Sequence, residues 1–321
     1  ICVYLSKIMK KDSKIYVAGH NGMVGSAILR KLISENFSNI VTKSKNELDL
    51  INQESVEEFM KNEKPEYVIL AAAKVGGIYA NNAYSGDFIY ENLMIQNNLI
   101  LSSLKNSVKK FLFLGSSCIY PKEANLPISE DQILTGPLEE TNKSYAIAKI
   151  AGIQLCQSYR KQYGFNSIAI MPTNLYGPFD NFSLKNSHVL PALIRKFHDG
   201  KVNNQPEVVC WGDGTPLREF LHVDDLADAV LFCMNNYDEI DILNIGTGKE
   251  ISIKDLSVII KELTGYKGET LWDRSQPNGT HSKLLDVSKI NNLGWESKIK
   301  LTDGIKQTHE WFIKNKDTIK L

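Results

Sequence analysis

Tyr145 and Lys149 stand one helical turn apart in Ser144-Tyr145-Ala146-Ile147-Ala148-Lys149. Residues i and i+4 share a helix face, so the spacing sets an ammonium beside a phenol and predicts a lowered phenol pKa. Such a tyrosine can exchange a proton with a sugar hydroxyl or carbonyl near neutral pH. Taken alone the pattern also describes a solvated amphipathic face. Its meaning comes from two features upstream: a glycine turn at Gly19-x-x-Gly22-x-x-Gly25, and Gly115-Ser116-Ser117-Cys118, which closes the apolar run 111–114.

The glycine turn lies between an apolar strand pattern at 14–18 and a helical pattern at 23–35. Each glycine has a steric task there: a tight turn, backbone approach to a pyrophosphate, and close helix-to-strand packing, with the helix N-terminus facing the phosphates. The site so predicted binds a dinucleotide. At the end of the second strand, 39–42, an NAD site usually carries a carboxylate for the ribose 2′-hydroxyl. This chain reads Thr42-Lys43-Ser44-Lys45-Asn46 instead. Cations there attract a 2′-phosphate, which favours NADP(H).

The elements that must position these groups alternate short β-branched runs (14–18, 39–42, 67–71, 111–114, 167–171) with helical patterns (23–35, 53–62, 87–105 and one through Tyr145 to 163). That alternation predicts an α/β fold with a doubly wound parallel sheet, of Rossmann type. After Pro172 the pattern changes, with a helix at 190–198, a strand at 208–211, a return to the first lobe through 221–235 and 242–245, and a helix at 253–263. The expected division is a dinucleotide-binding domain, 9–171 plus 221–247, and a smaller C-terminal α/β substrate domain, 172–220 plus 248–321. Residues 1–8 read as an upstream extension, with Met9 the more natural start.

At 321 residues and 43% hydrophobic content the chain can bury two cores. Its 37 basic and 37 acidic residues cancel, so no global field draws it to nucleic acid or an anionic membrane. No apolar stretch reaches the length of a membrane span. Five cysteines without a Cys-x-x-Cys pair, and six histidines without a His-x-x-x-His pair, argue against a disulfide framework and a metal site and for a reducing cytoplasm.

The blocks around these motifs resemble the extended short-chain dehydrogenase/reductase family. They are Ala18-Gly19-His20-Asn21-Gly22-Met23-Val24-Gly25, Ala71-Ala72-Ala73-Lys74-Val75-Gly76-Gly77, Gly115-Ser116-Ser117-Cys118-Ile119-Tyr120-Pro121, Tyr145 through Gly152, Met171-Pro172-Thr173-Asn174-Leu175-Tyr176-Gly177-Pro178 and Arg218-Glu219-Phe220-Leu221-His222-Val223-Asp224-Asp225. They resemble most closely the branch that epimerises and reduces GDP-4-keto-6-deoxymannose to GDP-L-fucose. The resemblance implies a cytoplasmic homodimer acting on a GDP-sugar with NADP(H). It gives Ser116, Tyr145 and Lys149 the reductase roles and makes Cys118 and His188 an epimerase pair. It puts the cofactor on Gly19 through Gly25, Lys45, Leu114, Gly115, Tyr145, Lys149, Pro172, Asn174, Leu175 and His188. Asn21 stands where bacterial relatives often carry an arginine, which leaves more of the 2′-phosphate to Lys45. Lys196, Trp211 and Arg218 would hold the nucleotide diphosphate, with Lys283 a further candidate.

The implied chemistry is coherent. C3 and C5 of a 4-keto sugar both flank the carbonyl, so either proton can leave as an enolate that a donor such as Tyr145 or Ser116 stabilises. Return of a proton from the opposite face inverts the centre, and a thiolate with a histidine can serve as base and acid. A dehydratase of the family would carry an Asp-Glu pair where this chain has Ser117-Cys118. A heptose analogue of the sugar stays open, since a pocket tells one methylene by only ~1–3 kcal/mol. A non-catalytic NADP sensor would have no need of the intact Tyr-x-x-x-Lys.

Overall fold

The computed structural model describes residues 8–276 and 278–319. All but Ile8 of the expected N-terminal extension lies outside the described residues. The first half runs β1 (Ile15–Ala18), α1 (Met23–Ser34), β2 (Ile40–Val41), α2 (Gln53–Glu63), β3 (Tyr67–Leu70), α3 (Ile78–Ala83), α4 (Ser85–Lys105), β4 (Lys110–Leu114), α5 (Lys143–Tyr163) and β5 (Ser167–Pro172). β1, β3, β4 and β5 are buried at every residue, as expected of parallel strands covered on both faces. The second half runs β6 (Asn174–Tyr176), α6 (Val189–Val202), β7 (Glu207–Trp211), β8 (Leu217–His222), α7 (Val223–Asn236), β9 (Leu243–Ile245), β10 (Glu250–Ser252), α8 (Ile253–Thr264), β11 (Glu269–Asp273), α9 (Ser288–Asn292) and α10 (Leu301–Asn315).

Six strands form one parallel sheet in the order β2-β1-β3-β4-β5-β9. The direction of winding reverses between β1 and β3. A crevice opens at such a switch point, outside the carboxyl ends of the strands. A second sheet, β10-β8-β6, and a two-stranded ribbon, β11-β7, lie outside the main one. α6, α8 and α10 build a second core there from Leu193, Ile194, Phe197, Leu256, Ile260, Ile305 and Phe312.

Local chemistry explains the element ends. Asn52 accepts the Ser55 amide at 3.0 Å and starts α2. Ser252 caps α8 through the Asp255 amide at 2.9 Å, and Gly164, at φ +67°, stops α5. Lys110 is buried and its ammonium donates to the carbonyls of Cys233, Met234 and Tyr237 at 3.2, 2.9 and 2.6 Å, which caps α7 from inside the protein.

The structure adds elements that periodicity does not reveal. β6 is three residues inside the segment after Pro172 where the pattern changes, and it forms because β8 offers it a partner at Asn174↔Phe220. The stretch expected to return as 221–235 is the end of β8 followed at once by α7. Among the described residues no helix is long and apolar enough to cross a membrane.

Candidate active site

The crevice at the end of β1 is built by backbone contact. Gly19 sits at φ +87° and its carbonyl accepts the Gly22 amide at 3.1 Å. A Cβ on Gly25 would lie 2.1 Å from the Gly19 carbonyl oxygen, and one on Gly19 would lie 2.6 Å from the Ala72 nitrogen. Only glycine fits either place. α1 therefore starts hard against the strand, with no acidic residue in its first turn, and its free amides and positive dipole end face the crevice. This cradle, flanked by His20, Asn21, Met23 and Val24, fits the pyrophosphate of a dinucleotide. At its far end Lys43 faces Glu47 at 3.8 Å, whereas Lys45 is exposed and in no ion pair among the described residues. Lys45 is thus the cation available to a 2′-phosphate.

The carboxyl ends of β4 and β5 supply the next wall. Gly115 leaves room for the Met171 thioether, whose sulfur a Cβ there would meet at 2.3 Å unless that flexible side chain moved. Ser116 caps a single 3₁₀ turn, Ser117–Ile119, its hydroxyl accepting the Cys118 amide at 3.4 Å. α5 packs over this turn. Gly152 allows the close approach, since its Cβ would stand 2.5 Å from the Phe113 ring. Lys149 is buried and donates to the Leu114 carbonyl at 2.8 Å, with its ammonium 5.6 Å from the centre of the Tyr145 ring.

Electrostatics here differ from the expectation drawn from spacing. Burial pushes the Tyr145 phenol above its ordinary value, and the nearby Cys118 sulfur adds to the rise. The same burial lowers Lys149 to about 8. Desolvation decides both shifts: Lys149 is buried, Tyr145 is half-buried, and the Lys149 charge is not among the causes acting on the phenol. The resting phenol is therefore a held proton donor. Cys118 is likewise raised by burial, against the pull of Ser116, Lys283 and Lys149. It rests as a thiol, where the sequence suggests a thiolate.

His188 caps the N-terminus of α6. Desolvation of the ring at the cavity wall holds the imidazole below the usual histidine range, although the residue as a whole is exposed, and the helix dipole acts in the same direction. The segment carrying it is fastened to the first lobe. The Gly77 amide donates to the Asn186 carbonyl at 2.9 Å, and a Cβ on Gly77 would lie 2.3 Å from the Ser187 carbonyl oxygen.

Against the His188 segment lies a cavity of about 480 Å³, whose lining does not include Ser116, Cys118, Tyr145 or Lys149. Asn174, Leu175, His188, Lys196, Trp211, Arg218 and Lys283 all line it, so the expected substrate residues and the end of the cofactor set do meet. The Lys196 ammonium donates to the Val209 carbonyl at 2.8 Å and lies 5.5 Å from the Trp211 ring centre. Burial lowers the pKa of Lys196, Arg218 and Lys283, and none is in an ion pair among the described residues. Three partly desolvated cations in one cavity are costly until an anion joins them. Trp211 is 46% exposed, a cavity wall and not a core anchor.

Glu139 and Trp272 are among the lining residues absent from the sequence reading. Glu139 accepts from the Thr280 hydroxyl at 3.3 Å and faces Lys122 at 3.5 Å. Trp272 reaches the cavity because β11 pairs with β7, setting it opposite Cys210. An acid just ahead of the Tyr-x-x-x-Lys helix was the one signal in the sequence for the first; the second depends on a strand pairing that no local pattern encodes.

The model of the NAD dependent epimerase/dehydratase family matches residues 15–246. The chain belongs to that family. Within the NAD dependent epimerase/dehydratase family it is 57% identical over 311 residues to GDP-L-fucose synthase 1 of Arabidopsis thaliana, covering 97% of this chain and 96% of the relative. Among solved structures it resembles a GDP-6-OMe-4-keto-L-xylo-heptose reductase from C. jejuni, with a TM-score of 0.91 and 42% identity over 96% of this chain and 99% of that one. It also resembles a GDP-L-fucose synthetase from Naegleria fowleri bound to NADP, with a TM-score of 0.90 and 28% identity over 97% of both chains.

Proposed function

We infer that the chain is a bifunctional 3,5-epimerase and 4-reductase that converts GDP-4-keto-6-deoxy-D-mannose to GDP-L-fucose with NADPH. The observation that carries this reading is the meeting, at one cavity, of three unpaired cations suited to a nucleotide diphosphate with His188, while the cavity's Lys283 acts electrostatically on Cys118 at the sheet edge below.

NADPH, when bound, supplies the hydride. The chain's own residues do the rest. Tyr145, kept protonated by burial, gives its proton to the oxygen at C4, and Ser116 holds that oxygen by a hydrogen bond. Lys149, fixed at Leu114, stabilises the phenolate left behind. For epimerisation, a resting thiol and a neutral imidazole hold one transferable proton between them, on the sulfur. Its passage from Cys118 to His188 gives a thiolate that takes a proton from C3 or C5 and an imidazolium that returns one to the opposite face, which restores the resting pair. Lys196, Trp211, Arg218 and Lys283 hold the GDP moiety, and Lys45 the 2′-phosphate.

The same reading assigns 9–171 plus 221–247 to the cofactor and 172–220 plus 248–321 to the substrate. It has the chain working as a homodimer in a reducing cytoplasm, which the free, buried Cys118, Cys156, Cys210 and Cys233 suit. Sedimentation at working concentration tests the dimer. A second reading, a GDP-4-keto-heptose as substrate, is favoured by the likeness to the C. jejuni reductase, but the higher identity to the fucose synthase ranks it second. The deciding experiment mixes the protein, NADPH and GDP-4-keto-6-deoxymannose and identifies the product sugar by NMR. GDP-L-fucose is expected; an unreacted hexose together with turnover of the heptose would replace the reading.

A further inference from the structure

Glu219 is wholly buried in β8 and has no cation beside it among the described residues. Its carboxylate is held by backbone amides. One oxygen accepts from Thr247 at 2.5 Å and Gly248 at 2.8 Å, the other from Leu285 at 3.1 Å. Its main-chain carbonyl accepts the Asn174 side-chain amide at 2.8 Å and the Thr173 hydroxyl at 3.3 Å. A Cβ on Gly246 would come within 2.2 Å of the carboxylate, so that position is glycine for the sake of the glutamate.

These contacts join segments from different parts of the fold. Thr247 and Gly248 follow β9 of the main sheet, Glu219 belongs to the second sheet, and Leu285 lies two residues beyond Lys283. Arg218, next to Glu219, and Lys283 both line the cavity, as does Asn174. A buried anion is costly to desolvate, and here three backbone amides offset part of that cost. We propose that Glu219 is a positioning residue whose carboxylate fixes the 283–285 segment, and thereby sets the Lys283 ammonium opposite Arg218 for the diphosphate of the substrate.

The inference rests on the GDP-sugar reading, and the test separates the two by using GDP itself as the probe. Calorimetric GDP binding is compared for wild type, Glu219→Gln, Lys283→Met and the double variant, with NADPH affinity measured alongside by fluorescence. Glu219→Gln turns a donor toward one of the amides and orphans it, a loss of about tenfold in GDP affinity. NADPH affinity should change less than about twofold, because the glycine cradle shares none of these contacts and Asn174 bonds only the Glu219 main-chain carbonyl, which the substitution keeps. In the double variant the loss should scarcely exceed that of Lys283→Met, since groups acting through one another are not additive. Glu219→Asp, which keeps the charge and shortens the reach, should show the same selective loss and serves if the glutamine variant does not fold. Additive losses, or equal losses for GDP and NADPH, would overturn the proposal. Wild type that binds GDP no better than either variant overturns it alone; wild type that fails to bind GDP overturns the functional reading with it.

Discussion

The Lys149 ammonium is bonded to the Leu114 carbonyl at 2.8 Å while its charge lies 5.6 Å from the Tyr145 ring centre. It thus serves two neighbours, the strand edge by a hydrogen bond and the phenol by its field. At rest burial decides the phenol's state, and the cation becomes important when the proton leaves.

Tyr145→Phe removes the proton donor and little else, because the ring keeps its edge contact with Phe88 at 6.4 Å. Turnover in NADPH oxidation should fall ~100- to 10,000-fold, with NADPH affinity and melting temperature near wild type. A near-normal rate in the folded variant would remove Tyr145 from the mechanism.

Lys149, lowered to about 8, should imprint itself on the pH profile. Below that value the amine is charged and stabilises the departing proton's phenolate; as pH rises through about 8 the charge is lost and kcat for reduction should decline. Its effect on stability has the opposite sign. The folded pKa lies under the unfolded one, so the burial penalty is fully present below about 8 and is relieved as pH rises toward the ordinary lysine value. Initial rates at saturating substrate across pH 6 to 9, read together with melting temperatures, check both directions.

Lys45→Glu should raise KM for NADPH far more than for NADH, since a carboxylate repels the 2′-phosphate that only the former carries. Lys43→Glu should do less, as Lys43 already faces Glu47. Equal effects of Lys45→Glu on the two cofactors would rule out the phosphate contact.

Cys118→Ser and His188→Asn should separate the chemistries. Burial raises thiol and hydroxyl alike, so serine remains the far weaker acid, and the serine variant should incorporate little solvent deuterium at C3 or C5 while still reducing ketone without inversion. His188→Asn should retain some exchange, increasing with pH as the thiol ionises, but give no net inversion. NMR of the sugar ring in deuterated water reads both, and full epimerisation by Cys118→Ser would make the cysteine a packing residue.

The buried pair His198 and His309, 3.2 Å apart between ring nitrogens, predicts acid sensitivity. Burial, His198 and Lys201 lower His309 to about 4, against a smaller opposing pull from Glu310, and burial, then Lys316 and Lys201, lowers His198 against a pull from Asp199. The stability due to neutral imidazole is whole above the ordinary histidine value and is lost as pH falls from there to about 4. Melting temperature should drop across that window, and His309→Gln should flatten the drop; an unchanged slope would exonerate the pair.

Much of this was legible in the chain because it is written locally. The turn from Gly19 to Gly25 follows from sterics at adjacent residues, and β1, β3 and β4 declare themselves by unbroken apolar runs. What escaped depends on partners far away in sequence. β6 exists through β8, Trp272 reaches the cavity through β7, and Glu219 reads as one letter of a motif until Thr247 and Leu285 are brought to it. Ionisation escaped for the same reason: spacing shows that Lys149 neighbours Tyr145, but the burial that decides both shifts belongs to the folded whole.

The contact of Gly77 with Asn186 and Ser187 is backbone against backbone, so that point of the cavity wall cannot be recontoured by exchanging side chains. Tyr79, Leu184, Leu193 and Trp272 line the same cavity with replaceable groups. Engineered drift toward a bulkier sugar must therefore proceed by trimming such side chains, and libraries aimed at new substrates gain nothing from randomising Gly77.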